Sequence, residues 1–368
     1  MSKILSRKKN LQSCSVTIYD IAKSLGLSHT TVSLALRRSP KVKEKTRELV
    51  EKAAKRLGYR PNQNARCLKQ GYLNRIALII PVRGNYVDLI IRFDELCTDH
   101  GYEAVVMNLS TDPEKVKNTF EHILQSGFAA VAAFVWNFSE VSGILHEFSA
   151  QSRPIVILGP DSSFTPEPGF FSVRNSYYNA FKTLAERMIQ LGHRKICFAY
   201  PGNVGYVKSY EKITQMIREL LKQVGTDYDP ALIYRQTGPN TGLHDGYILG
   251  RTLHQKKPEV TACICIQDSA AIGLCRGLQE TGIRVPVDFS VSGCGNWEST
   301  PYLGVSLSSV EMRFAEFAEK AWAYIYSRLQ GGDEVMETAV LQAEAVIRES
   351  IGLAPQGVPL LLSAQKNS

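Results

Sequence analysis

Apolar residues recur at helical spacing three times within the first sixty positions. Ile18, Ala22 and Leu25 fall on one face of a short segment, and Val32 and Leu36 on one face of a second. Val42, Leu49, Val50, Ala53 and Leu57 mark a third, which Gly58 stops. Gly26 supplies a sharp turn between the first two. Thr17-Ile-Tyr-Asp20 has the form of a capping box, and Ser28 stands where a second helix needs a cap. Two short helices joined by a glycine turn make a helix-turn-helix unit. Its second helix would present His29, Thr30, Ser33 and Arg37 outward.

Beyond Arg75 the period changes. Short, branched, largely apolar runs at 76–81, 103–108, 129–135 and 154–158 alternate with helical stretches at 87–100 and 114–125. A second series starts with a helix at 176–191 and continues through runs at 195–200, 261–266 and 289–293. Continuous apolar strands separated by helices predict parallel sheets covered on both faces. The tail from Ala354 is rich in Pro, Gly and Ser, and reads as loose.

Charge divides the chain at the same place. Residues 1–75 hold 18 Lys+Arg against four Asp+Glu, a net of +14, while the remainder carries −6. A basic head on a mildly acidic body is the electrostatic footprint of phosphate binding. At 368 residues the chain is long enough for two or three domains. No apolar run approaches the roughly 18 residues that cross a bilayer, and the basic N-terminus has no apolar core of a secretory signal. Eight cysteines without a CxxC pair suggest free thiols in a reducing cytosol. Cys263 and Cys265 are expected on opposite faces of a strand.

Residues 16–33, with Lys45-Thr-Arg47 and Leu57-Gly-Tyr-Arg-Pro-Asn62, closely resemble the opening of the lactose-repressor (LacI/GalR) family of bacterial transcription regulators. Weaker similarity runs to about residue 354 through Leu191-Gly-His-Arg194, Gln267-Asp268, Gly282 to Pro286 and Ile347 to Ser350. The resemblance implies an all-α helix-turn-helix DNA-binding domain over 1–60, and a hinge helix and linker over 61–75. These join a two-lobed α/β periplasmic-binding-protein-like core with parallel doubly wound sheets. The expected first lobe is 76–174 plus about 308–330, the second 175–307 plus about 331–354, with a loose tail at 355–368. Crossings between lobes are placed near Arg174, Ser308 and Gln330.

On the same resemblance, His29 and Thr30 lead the base contacts. Thr17, Ile18, Tyr19, Ser28, Thr31, Ser33, Leu34, Arg37, Lys45, Thr46 and Tyr59 complete the DNA face of the head, and Asn62, Ala65, Leu68 and Lys69 form the hinge. Leu68 would wedge into the minor groove. Leu34 stands where many relatives carry a base-reading arginine or histidine, and offers only apolar contact. The implied partners are double-stranded pseudo-palindromic operator DNA, a second copy of the chain and a small-molecule effector, with no membrane and no cofactor. The implied setting is the cytoplasm, at the nucleoid.

Ligands on open parallel sheets bind beyond the carboxyl ends of strands. That places Arg83, Tyr86, Asp161, Arg174, Tyr206, Asp268, Asn296 and Trp297 around an interlobe cleft, and the resemblance adds Lys212 from the helix after Gly202. Asp268 would also cap the helix that follows it. Sugar-binding relatives have an arginine where Lys212 aligns and aspartates at the places of Gly295 and Arg174, so the hydroxyl-reading set is incomplete. That leaves an acidic or aromatic effector, or none, in place of a sugar; if Arg83, Arg174 and Lys212 converge, three cations against the two carboxylates Asp161 and Asp268 favour an anionic ligand. An enzyme is not indicated: no metal-ligand spacing, phosphate-cradling glycine motif or nucleophile elbow occurs, and no residue is assigned as catalytic or metal-binding. A solute-binding transport protein would share the core fold, but conflicts with the helix-turn-helix and the missing signal.

Overall fold

The three N-terminal segments form helices α1 (Ile18–Leu25), α2 (His29–Leu36) and α3 (Glu44–Leu57) in the computed structural model. The structure describes residues 16–36, 39–59, 72–81, 86–135, 138–160, 170–201, 207–236, 242–333 and 338–355. Ile21, Ala22, Val32, Ala35, Val42, Val50, Ala53 and Ala54 make the core of this head. Leu49, expected inward, is 50% exposed. It lies one position, a turn of about 100°, from Val50, which takes the core site. The Asp20 carboxylate accepts from the Thr17 N–H (2.8 Å) and hydroxyl (2.7 Å), and these bonds hold it below the usual carboxylate range. Gly26 takes φ +64°, and the Leu27 N–H turns back to the Ala22 carbonyl (3.0 Å). Ser28 Oγ accepts the Thr31 N–H at 3.0 Å and so caps α2.

The chain divides into two units between Leu73 and Asn74. The larger one begins with β1 (Leu73–Ile80), α4 (Val87–Asp99), β2 (Glu103–Asn108), α5 (Pro113–Gln125) and β3 (Phe128–Phe134). It continues with α6 (Ser142–Ala150), β4 (Ile155–Pro160) and β5 (Phe171–Ser176). These strands and β11 (Ala339–Gln342) make a six-stranded sheet in the order β11-β5-β4-β3-β1-β2. The pairs β1/β2, β3/β4, β4/β5 and β5/β11 are parallel. Every residue of β3 is buried, as a strand covered on both faces requires.

A second sheet follows: α7 (Tyr178–Gln190), β6 (Ile196–Pro201), α8 (Val207–Gln223), β7 (Ile233–Gln236), α9 (Leu243–Lys256), β8 (Ala262–Cys265), α10 (Asp268–Glu280) and β9 (Ser290–Ser292). Its order is β7-β6-β8-β9, all parallel. The chain then runs through β10 (Ser309–Glu311) and α11 (Phe314–Leu329), which packs on the first sheet, and returns by β12 (Glu344–Val346). β10 and β12 form an antiparallel two-stranded ribbon.

Two sequence expectations change here. The return to the second lobe was placed near Gln330, but β11 keeps the chain on the first sheet through Gln342, beside β5. Four residues of mixed polarity give no periodic signal, and only the pairing with distant β5 defines them. Cys263 and Cys265 share a face of β8, because strand side chains repeat every second residue. Their sulfurs lie 3.8 Å apart.

The described C-terminal stretch is tied down by a buried imidazole. His193 Nδ1 meets Thr261 Oγ1 at 2.8 Å, while Nε2 meets Ser290 Oγ at 2.9 Å and the Gly352 carbonyl at 3.1 Å. Burial pushes its pKa down, and neighbouring Arg194 adds to the effect. The unfolded chain therefore binds a proton at a pH where folded His193 does not, so stability is lost as pH falls below the free-histidine range of about 6.5. Urea unfolding at several pH values should show a midpoint that drops between about pH 7 and pH 5, with a shallower drop in His193→Gln. Parallel slopes for the two chains would remove His193 from the account.

Candidate functional site

On the head, the N-terminal turn of α2 and the start of α1 are exposed. Thr17, Tyr19, Ser28, His29 and Thr30 lie on the surface, as does Lys45 on α3. The Tyr19 and His29 rings are 5.2 Å apart, so the two helices present one joint edge. Thr31, Ser33 and Thr46 are half-buried. Ile18, Leu34 and Tyr59 are also half-buried and pack against the head's core, which leaves less of Leu34 to reach a base than the sequence reading assumed. Arg47 ties the α2–α3 connection together by pairing with Glu44 and donating to the Ser39 carbonyl at 3.3 Å. Arg37 and the hinge residues Asn62, Ala65, Leu68 and Lys69 lie outside the described residues.

Three of the expected effector residues come together. Asp268, Asn296 and Trp297 meet at the carboxyl ends of β8 and β9. Asp268 is fully buried and is the first residue of α10, with Gln267 as its cap, so its expected capping role does not hold. Its carboxylate accepts instead from Ser309 Oγ (2.6 Å) and the Trp297 N–H (2.9 Å). Burial raises its pKa, and those two bonds work against the rise. Ser309 Oγ also accepts the Asn296 N–H at 2.9 Å. A side chain at Gly295 would meet the Trp297 indole, so the ring occupies the space over this position. Asp268 therefore works as an anchor for this loop, with both oxygens committed to the protein.

Among the described residues, rings stand closest to Tyr86. Lys212 is on the exposed face of α8, and Arg174 Nε donates to Ser172 Oγ (3.2 Å) within β5. Arg83, Asp161 and Tyr206 lie outside the described residues. The Tyr86 ring packs on Phe134 (5.1 Å) and Phe314 (4.9 Å). Burial raises the Tyr86 phenol well above its ordinary pKa, and Cys294 and Tyr177 add to it. Tyr210 is raised in the same way, by burial first and then by Tyr177, Tyr86 and Cys294. Aromatic rings and sulfur from both sheets thus meet at the crossings, and Cys294 Sγ is 3.6 Å from Met312 Sδ. Sequence reasoning missed Tyr210, Cys294, Ser309 and Met312. Only for Tyr210 was there a signal, the apolar stripe of α8.

Among the described residues, no group of three His, Cys, Asp or Glu could hold a metal ion, and no helix is long and apolar enough to cross a membrane.

Comparison with known proteins gives the same division. Residues 17–62 match the model of bacterial regulatory proteins of the lacI family, and residues 185–351 match that of periplasmic binding protein-like domains. The HTH-type transcriptional regulator AglR of Rhizobium meliloti is 30% identical over 356 residues, 94% of this chain and 97% of that protein. The HTH-type transcriptional repressor PurR of Mannheimia succiniciproducens is 28% identical over 342 residues, 91% of this chain and 98% of that one. A crystal structure of the lac repressor dimer, bound to operator and the anti-inducer ONPF, superposes with a TM-score of 0.76 at 20% identity, over 91% of this chain and 99% of that chain. A helix-turn-helix head, two parallel sheets joined by repeated crossings and full-length similarity to AglR agree: the chain belongs to the lacI family of bacterial regulatory proteins and is a DNA-binding transcriptional regulator.

Proposed function

We propose that the protein is a cytoplasmic repressor that binds pseudo-palindromic operator DNA as a homodimer, with an effector that acts at the sheet crossings. The exposed polar edge of α2 carries this reading. His29 and Thr30 are exposed on a small head whose surrounding segment is strongly basic, which suits α2 to the major groove and the lysines to phosphates. Residues 61–75, with Leu68, would supply the minor-groove wedge.

Selection of bound sequences from a random DNA pool tests the base readout. His29→Ala and Thr30→Ala should each alter the preferred sequence and cost about 1–3 kcal/mol on the wild-type site. Lys45→Ala should weaken all sequences alike and lower the salt dependence by about one charge. Identical preferences in all four proteins would reject the assignment of α2.

The apolar outer faces suit a second copy. Val87 and Ile91 on α4, with Val106 on the edge strand β2, are exposed, and so are Leu243 and Ile248 on α9. The structurally similar lac repressor is described as a dimer, and a two-fold operator calls for a two-fold protein.

For the effector, the surroundings of Tyr86 favour a flat aromatic molecule, because the described side chains there are rings and sulfur. A thermal-shift screen of sugars, sugar phosphates, organic acids and nucleobases should find stabilisation by a planar aromatic compound, reduced in Tyr86→Ala. Stabilisation by a neutral sugar to the same extent in both proteins would overturn this assignment.

A further inference from the structure

The chain passes between its two parallel sheets at three places, and the three are laced together. Asn175 Nδ2, near the end of β5, donates to the Met312 carbonyl. The Ala343 N–H reaches the Ser176 carbonyl at 3.0 Å, and Arg313 pairs with Glu344 at 3.6 Å. The loop that leads to Trp297 runs beside β10: the N–H groups of Gly293 and Gly295 donate to the Ser308 and Val310 carbonyls at 2.8 and 2.9 Å.

Asn296 joins this loop to the crossings by its side chain. Its Nδ2 donates to Glu311 Oε2 at 2.7 Å, and its Oδ1 accepts from Arg348 Nη2 at 2.7 Å. Bonds with one charged partner are the stronger kind. The other Glu311 oxygen accepts the Arg313 N–H at 2.9 Å, at the turn into α11. Arg348 also donates to the Leu307 carbonyl at 2.7 Å, so both flanks of the ribbon are engaged. Asn296 has φ +44°, in the left-handed region that non-glycine residues occupy at a cost and asparagine more readily than most. Such a backbone persists where its surroundings over-determine it, and these bonds do so.

We propose that Asn296 is a positioning residue that clasps the Trp297 loop to both crossing segments. A displacement of that loop then passes through Glu311 to the turn at Arg313, and from there to α11 on the first sheet. The regulatory use of this clasp rests on the effector reading above; the clasp itself does not.

Exchanging donor and acceptor tests it. Asn296→Asp keeps a side chain that tolerates the left-handed backbone and keeps the Arg348 bond, but sets a carboxylate against Glu311. Asn296→Asp combined with Glu311→Gln restores the bond in the opposite sense, since glutamine donates to aspartate. Hydrogen-exchange mass spectrometry on the full chain reads the result. The single variant should exchange about tenfold faster over residues 309–313 with α5 unchanged, and the double variant should return to within about twofold of wild type.

Wild-type exchange in the single variant overturns the clasp. So does a double variant as fast as the single, or acceleration spread over both sheets without rescue. DNA affinity of the same proteins, measured on a sequence selected from a random pool, separates the two claims. Local acceleration with rescue but unchanged affinity would keep the clasp and remove its link to DNA binding.

Discussion

A Gly273→Ala chain is expected to lose at least about 3 kcal/mol of stability, seen as a lower urea midpoint or as lost soluble protein. Helices α9 and α10 approach backbone to backbone through Gly246 and Gly250 on one and Gly273 and Gly277 on the other. An ideal Cβ at Gly273 overlaps the Leu243 carbonyl oxygen, and one at Gly246 overlaps that of Ala270. These obstacles are main chain, so relief requires the whole helices to part. Parting would strip contacts from Leu249, Leu253, Leu274 and Leu278, all buried. Gly143→Ala is the control. It too lies in a helix, α6, but nothing stands within 4 Å of its Cβ position, so alanine should be neutral or stabilising by up to about 1 kcal/mol. Equal midpoints for Gly273→Ala and wild type would mean that the close approach is not needed.

The head was readable because its determinants are local. Capping box, glycine turn and inward stripe all fall within a few residues of one another, and each fixes the same short helix. Strands β3 and β6 were readable too, since a strand buried on both faces is apolar throughout. The strands that went unread, β5, β7, β10, β11 and β12, are three to six residues long and mixed in polarity. Their pairing partners are far away in sequence, as with Val340 beside Arg174, and no local period can announce such a contact.

The site shows the same limit from another side. Asp268 was recognisable as a residue of consequence, but its role was not. Its decisive partners, Trp297 and Ser309, lie 29 and 41 residues away. The expected cluster of Arg83, Arg174 and Lys212 assumed that residues near strand ends share one direction. Arg174 instead lies within β5, paired with Val340 and Gly159 on either side, and its guanidinium turns to Ser172. Lys212 follows the helical period of α8, where Tyr210, Ile213 and Thr214 take the buried positions.

Charging the outer face of α9 should abolish high-affinity operator binding without touching the head. Leu243, in the first turn of α9, is 55% exposed, and Ile248, on the side turned away from the glycine contact with α10, is 42% exposed. Leu243→Asp with Ile248→Asp would bury two carboxylates without partners if a second copy docks there, a cost that a dimer contact cannot absorb. Two linked heads bind two half-sites with an effective concentration that raises affinity by about 10²–10⁴ over one head. The variant should sediment as a monomer and lose that factor on a full two-fold site. On a single half-site it should bind as tightly as wild type, because His29, Thr30 and Lys45 are unchanged. The half-site measurement separates lost assembly from a damaged head. A variant that stays dimeric with full-site affinity intact would show that this face is not the interface, and would turn attention to Val87, Ile91 and Val106. Both faces belong to the unit after Leu73, so on this reading spacing between the heads is set by parts of the chain that never touch DNA.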